Sequence, residues 1–200
     1  MRYSSLKNLS FGLALISFLA AGAASAQSLA GVTTRLDQTL DSRTAKVGEA
    51  VSVKLNDTVK TPDGVKLPRG TQLLGKVAEV KTAANSGPAS VTLVFTSAKL
   101  KDGKEIQVKA TLVGAYTSSE GGDSTYGSQT MAPAPALVNA DDTFDQQAGA
   151  LHRVSLTSAV KNSDSGTFTS KDGNFKLQAG TYLQLGIAGA GNSGLTRTAE

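Results

Sequence analysis

The residues able to do chemistry are few, and they are scattered. His152 is the only histidine in the 200-residue chain. A general base needs a nucleophile beside it and an acid to orient it. His152 follows a Ser/Gly-rich stretch with neither partner nearby and reads as an ordinary surface imidazole. Asp141, Asp142 and Asp145 form the densest carboxylate group, in NADDTFD. Oxygen-rich loops of that kind can hold calcium, but the alternating ligands, central Gly and terminal Glu of an EF-hand loop are missing. Carboxylates there suit a helix start or a solvated loop. Glu49, Glu79, Glu105 and Glu120 sit in turns or on polar strand faces, and none is paired as sugar hydrolysis requires. Leu67-Pro68-Arg69-Gly70-Thr71 could form an anion nest, but Pro and Gly at those places also make a plain turn. No phosphate loop is present, since no Gly cluster carries the Lys-Ser/Thr pair. We therefore expect no enzyme, no catalytic or metal site and no cofactor.

The elements that must position these residues are hairpins. Asp63 to Val80 (DGVKLPRGTQLLGKVAEV) returns in shorter form as Asp172 to Ile187 (DGNFKLQAGTYLQLGI). Each copy runs through an Asp-Gly turn, a short apolar strand, a Gly-Thr turn and a second strand. Val32, Thr34, Leu36, Gln38 and Leu40 alternate with polar neighbours, as do Val51, Val53 and Leu55. The alternation slips between Leu73 and Val80, and a β-bulge at Gly75 would repair it. Val91, Leu93 and Phe95 form another strand, joined through Asp102-Gly103 to Ile106, Val108, Ala110 and Leu112 as an antiparallel hairpin. Val154, Leu156, Val160, Thr167 to Ser170 and Phe175 to Ile187 complete the pattern. These features predict an all-β fold, an antiparallel β-barrel or sandwich of about eight short strands. A long irregular loop over 114–149 divides them. Asp141 to Leu151 is the best helix candidate, and it is short.

The first residues predict export. Arg2 and Lys7 precede the apolar run Phe11 to Ala21, and Ala24-Ser25-Ala26 supplies small residues for cleavage after Ala26. The run is shorter than the ~20 apolar residues of a bilayer crossing, so no transmembrane segment is expected after cleavage. The expected organisation is a signal peptide at 1–26, one β domain over 27–188 and a disordered tail over 189–200. The expected location is the periplasm or the exterior. Loss of Arg2 and Lys7 lowers the formal charge from +4 to about +2. Lys99, Lys101, Lys104 and Lys109 alternate with Asp102 and Glu105, which reads as a solvated hairpin and not as a nucleic-acid surface. With no Cys, the fold has neither disulfides nor a thiol nucleophile. With no Trp and few Phe or Tyr, the stacking faces that sugar-binding modules use are scarce.

Ala50 to Val80 resembles the β-barrel domain of TrbI-type proteins, the scaffold of conjugation and type IV secretion channels. The likeness rests on AVSVKLND, on the Asp-Gly turn, and on Leu67, Pro68, Arg69, Gly70, Thr71, Leu73, Leu74 and Gly75. Ala179-Gly180-Thr181-Tyr182-Leu183 resembles that family's closing strand. The resemblance implies a short exported relative: a non-enzymatic structural or interaction protein with protein partners in the cell envelope. An envelope polysaccharide or peptidoglycan binding module is the alternative.

Overall fold

Alternating side chains become alternating faces. Val51, Val53 and Leu55 are buried while Ser52 and Lys54 are not, and Val32, Thr34 and Leu36 behave alike. The computed structural model describes residues 28–83, 87–117, 133–147, 151 and 153–189. In chain order its strands are β1 (Leu29–Leu36), β2 (Leu40–Asp41), β3 (Ala50–Leu55), β4 (Val59–Lys60), β5 (Lys66–Leu67), β6 (Gln72–Lys81) and β7 (Ala89–Lys99). There follow β8 (Glu105–Tyr116), β9 (Leu137–Val138), β10 (Thr143–Gln146), β11 (Val154–Ala159), β12 (Gly166–Ser170), β13 (Lys176–Leu177) and β14 (Tyr182–Gly189). Among the described residues there is no helix, and so none long and apolar enough to cross a membrane.

Six strands close a ring in the order β1-β3-β6-β7-β8-β14 and back to β1, antiparallel at every step. Closure removes the exposed edges that an open sheet must protect. Leu73, Leu93, Phe95, Leu112 and Leu183 fill the core. Strands β12, β11 and β10 continue outward from β7, and β9 pairs with the start of β1. A second apolar cluster of Leu29, Val138, Val160 and Ala188 forms outside the ring, where those strands cover it. It explains why β14 is buried on both faces, a pattern that alternation alone does not predict.

Where β7 and β8 splay apart, Ser165 bridges them. Its carbonyl accepts from Leu112 N–H at 2.7 Å, and its own N–H donates to Leu93 O at 2.8 Å. Its Oγ accepts from Phe95 N–H at 2.9 Å. Ser158 Oγ donates to Leu112 O just beside it.

The repeated hairpins are two copies of one hydrogen-bonded unit. The first is continuous, β3-β4-β5-β6; the second is split into β1-β2 and β13-β14 at the two ends of the domain. Gly70 N–H donates to Leu55 O at 2.9 Å, and Gly180 N–H to Leu36 O at 2.7 Å. Leu55 and Leu36 return N–H bonds to Thr71 O and Thr181 O, each 2.9 Å. Arg69 N–H reaches Thr58 Oγ1 and Ala179 N–H reaches Thr39 Oγ1, both at 3.1 Å. The small ladders match as well, Val59 facing Leu67 and Leu40 facing Leu177. The equivalence extends the sequence repeat backward, so that LDQTLDS (36–42) corresponds to LNDTVKT (55–61).

Several expectations change. The antiparallel all-β barrel is the expected fold, but the described residues hold fourteen strands, not about eight, because five of them are two residues long and too short to show a period. Of the loop expected over 114–149, the described part is not all irregular: Gly114 ends up inside β8, and β9 and β10 fall within it, while 118–132 and 148–149 lie outside the described residues. Gly114 is there for space, since a Cβ would come within 3.0 Å of Gln184 Oε1 and 3.1 Å of Tyr116 Cε2. The helix candidate Asp141–Leu151 contains β10 instead, preceded by a turn in which Asp142 Oδ2 accepts Asn139 N–H at 2.8 Å. Gly189, placed in the tail, is the last residue of β14 and donates its N–H to Asp63 Oδ1 at 3.0 Å. The register break expected at Gly75 is found between Leu74 and Gly75, with Thr96 of β7 as the extra residue. A second break between Val77 and Glu79 leaves Ala78 unpaired and reverses the faces of β6 beyond it. The signal peptide at 1–26 and the tail from residue 190 lie outside the described residues.

Candidate functional site

The two Gly-Thr turns flank the short β1–β3 ladder, one at each side, because each caps the last residue of β1 or β3 and those antiparallel strands overlap by only three residues. Between them lies a groove of about 1260 Å³. Its charged lining is Arg35, Lys54, Arg69, Lys101 and Lys176 against one carboxylate, Asp37. The five cations come from five segments: β1, β3, the turn after β5, the β7–β8 turn and β13.

Each is positioned by local structure. Arg35 and Lys54 occupy equivalent places in the two copies, one residue before the closing Leu, and they are direct cross-strand partners. Like charges so placed repel. The repulsion is offset on both sides. Arg35 lies over the Tyr182 ring, 4.9 Å from its centroid, a favourable cation–π arrangement. Lys54 Nζ sits 3.7 Å from Asp37 Oδ1. Asp37 Oδ2 also accepts from Ser52 Oγ at 3.0 Å and Gln72 Nε2 at 2.9 Å. Lys176 pairs with Asp41 at 3.3 Å. The Arg43 N–H bond holds the Asp41 carboxyl below its usual range, against the opposing effect of burial and with help from Lys176. Arg69 and Lys101 have no ion pair among the described residues, and both are exposed. They share one rim, since a Cβ on Gly70 would stand 3.0 Å from Lys101 Cε.

The backbone of the turn is already spent. Arg69 and Gly70 N–H bond to Thr58 Oγ1 and Leu55 O, and Thr71 N–H donates to Pro68 O at 3.0 Å. Leu67 to Thr71 is therefore a turn and not an anion nest. An anion in the groove would be held by side-chain charge alone.

The residues singled out in the sequence do not converge. Asp141 forms an exposed ion pair with Lys161 at 2.6 Å, a kind that contributes little. Asp142 holds its turn, and Asp145 accepts Gln147 Nε2 at 2.8 Å. Glu49 Oε2 accepts Lys46 N–H in a turn at 3.0 Å. Glu79 and Glu105 lie on β6 and β8, opposite Thr92 and Lys99 of β7. His152 and Glu120 lie outside the described residues. Among the described residues no group of three His, Cys, Asp or Glu could hold a metal ion.

What sequence reasoning missed is the gathering of cations. Lys101 belongs to the hairpin read as merely solvated, yet it lines the groove. The usable signal was the longer repeat: aligning LDQTLDS with LNDTVKT puts Arg35 and Lys54 at equivalent places, each followed by a Leu that a Gly turn caps. In comparisons with known proteins, no family model and no curated sequence matches the chain.

Proposed function

We propose that the chain is an exported, non-enzymatic interaction protein of the bacterial cell envelope that binds its partners at the groove between the two Gly-Thr turns. The observation that carries this reading is the convergence of five cations from five segments on one groove. The like-charged cross-strand pair Arg35 and Lys54 is kept only with Tyr182 and Asp37 to offset it, and local conflicts of this kind concentrate at functional sites. The export signal ending at Ala26 supports a periplasmic or secreted location. The TrbI-type resemblance of Ala50 to Val80 supports a barrel that serves other envelope components as a scaffold.

The test is capture from envelope extracts, run beside size-exclusion chromatography of the purified protein. The wild type is expected to retain envelope components, and Arg69→Glu with Lys101→Glu to lose them while keeping the same melting profile. A strictly monomeric wild type that captures nothing overturns the reading. So does a double variant that captures as much as the wild type.

A further inference from the structure

We infer that the groove takes an anionic glycan, a polysaccharide chain bearing repeated carboxylate or phosphate groups. The inference deepens the reading above and rests on the groove being the binding face. Its volume, about 1260 Å³, is larger than the ~300–1,000 Å³ of ordinary small-molecule pockets, which suits a segment of a polymer. The net sign of the lining calls for negative charge. Other polyanions lack what they need here. Nucleic-acid strands are held by aromatic platforms under their bases. Tyr182 already carries Arg35 on its ring, and among the described residues no aromatic side chain lines the groove. An acidic peptide adding as a strand needs free backbone groups. Leu36 and Leu55, which end β1 and β3, have their N–H and C=O groups bonded to the two Gly-Thr turns. A concave groove cannot lie flat on a bilayer. The scarcity of aromatic faces disfavours neutral sugars, which are held by ring stacking; a charged glycan is held instead through its acidic groups, which recur along the chain where point charges can follow them.

Recognition by side-chain charge has a signature. Binding releases counterions, so the affinity falls with added salt, and each contacting cation contributes about one unit to the slope of log K against log salt. Asp37 and Asp41 already neutralise part of Lys54 and Lys176. Arg69 and Lys101 therefore carry the largest share of the attraction.

The experiment uses the full mature chain and fluorescein-labelled polygalacturonate oligomers, followed by anisotropy between about 50 and 200 mM salt. A teichoic-acid-type polyol phosphate is the phosphate-bearing arm; neutral dextran, polyglutamate and single-stranded oligonucleotide are the competitors. The expected result is saturable binding of one or both acidic polymers, and none of dextran. Arg69→Ala with Lys101→Ala should flatten the salt slope by about two, and the double Glu variant should weaken binding about tenfold or more. Lys161→Ala is the control. Lys161 is exposed after β11, outside the ring, paired with Asp141 and not part of the groove lining, and its variant should bind as the wild type does. Dextran binding as well as the acidic polymers overturns the inference, as does tighter binding of polyglutamate or oligonucleotide. Indifference to Arg69 and Lys101 overturns it too. If no glycan binds while envelope capture still depends on Arg69 and Lys101, only the glycan fails. If capture itself ignores those residues, the functional reading fails with it.

Discussion

Gly75→Ala tests the packing logic of the barrel most directly. Gly75 lies opposite Phe95 just after the first register break of β6. An added Cβ would stand 2.3 Å from Val94 O, 2.6 Å from Phe95 Cδ1 and 3.1 Å from Phe95 Cα. Carbon contacts are comfortable near 3.5–4.0 Å, so atoms on β7 would have to retreat by roughly 1 Å. Val94 O is backbone and can do so only by loosening the β6–β7 ladder. Overpacking costs about 1–3 kcal/mol, and one weakened ladder bond adds about 1 kcal/mol. The lower entropy of an unfolded Ala returns about 0.4–1 kcal/mol. The net loss is about 1–3.5 kcal/mol, or a fall in Tm of roughly 2–14 °C for a domain of this size. Urea unfolding should show a lower midpoint with an unchanged slope. Trimming the ring in a Phe95→Leu background should relieve part of the loss, so the two substitutions should depart from additivity by at least ~0.5 kcal/mol. Gly75→Ala within about 0.5 kcal/mol of wild type, or strict additivity with Phe95→Leu, would refute the reasoning.

Ser165→Ala removes the acceptor of the buried Phe95 N–H and should cost about 1–3 kcal/mol. Urea unfolding measures the loss, and faster hydrogen exchange at the Phe95 amide should accompany it. The Asp63 carboxyl is pushed up by burial but pulled further down by hydrogen bonds from Thr61 Oγ1 and Gly189 N–H, so it lies below its ordinary 3.8. A depressed folded-state value means stabilisation that is complete above 3.8 and lost as pH falls through the folded value. The unfolding midpoint should drop over that acid range, and Asp63→Asn should show a smaller drop. An identical pH profile in the variant would sink the assignment.

How much was legible in the sequence depended on how local the cause was. Val51, Val53 and Leu55 announced β3 because alternation is a property of neighbouring residues. The Asp102-Gly103 hairpin was legible for the same reason, and Gly103 does adopt a positive φ of 87°. A register break beside Gly75 was legible, but its extra residue is Thr96 on β7, and the residue that reverses β6 is Ala78, whose role depends on the register with β7. Gly114 misled because a glycine demanded by a crowded neighbour strand looks the same in sequence as one demanded by a turn. Strands β2, β4, β5 and β13, two residues each, exist only through partners, and for β2 and β13 those partners lie more than a hundred positions apart in the chain.

The groove was invisible for a related reason, and the split repeat supplies it. In the continuous copy, β3 and its Gly70 turn are fifteen residues apart; in the divided copy, β1 and its Gly180 turn stand at opposite ends of the domain. Pairing β1 with β14 and, over only three residues, with β3 brings the two turns to either side of one short ladder. Everything attached to those turns comes along: Arg35 and Lys54 as cross-strand partners, Arg69 beside Gly70, Lys176 ahead of Gly180. Lys101 arrives from the β7–β8 hairpin because β7 follows β6 around the ring and its turn lands beside Gly70. Ring closure thus turns evenly spread charges into a local excess. The copies are not equally charged at the rim. Where the divided copy has Asp37, the continuous copy has Asn56, and where the continuous copy has Arg69, the divided copy has Ala179. The same unit used twice is neutralised on one side and left positive on the other, and an anionic chain crossing the groove would be held most firmly at the Arg69 and Lys101 rim.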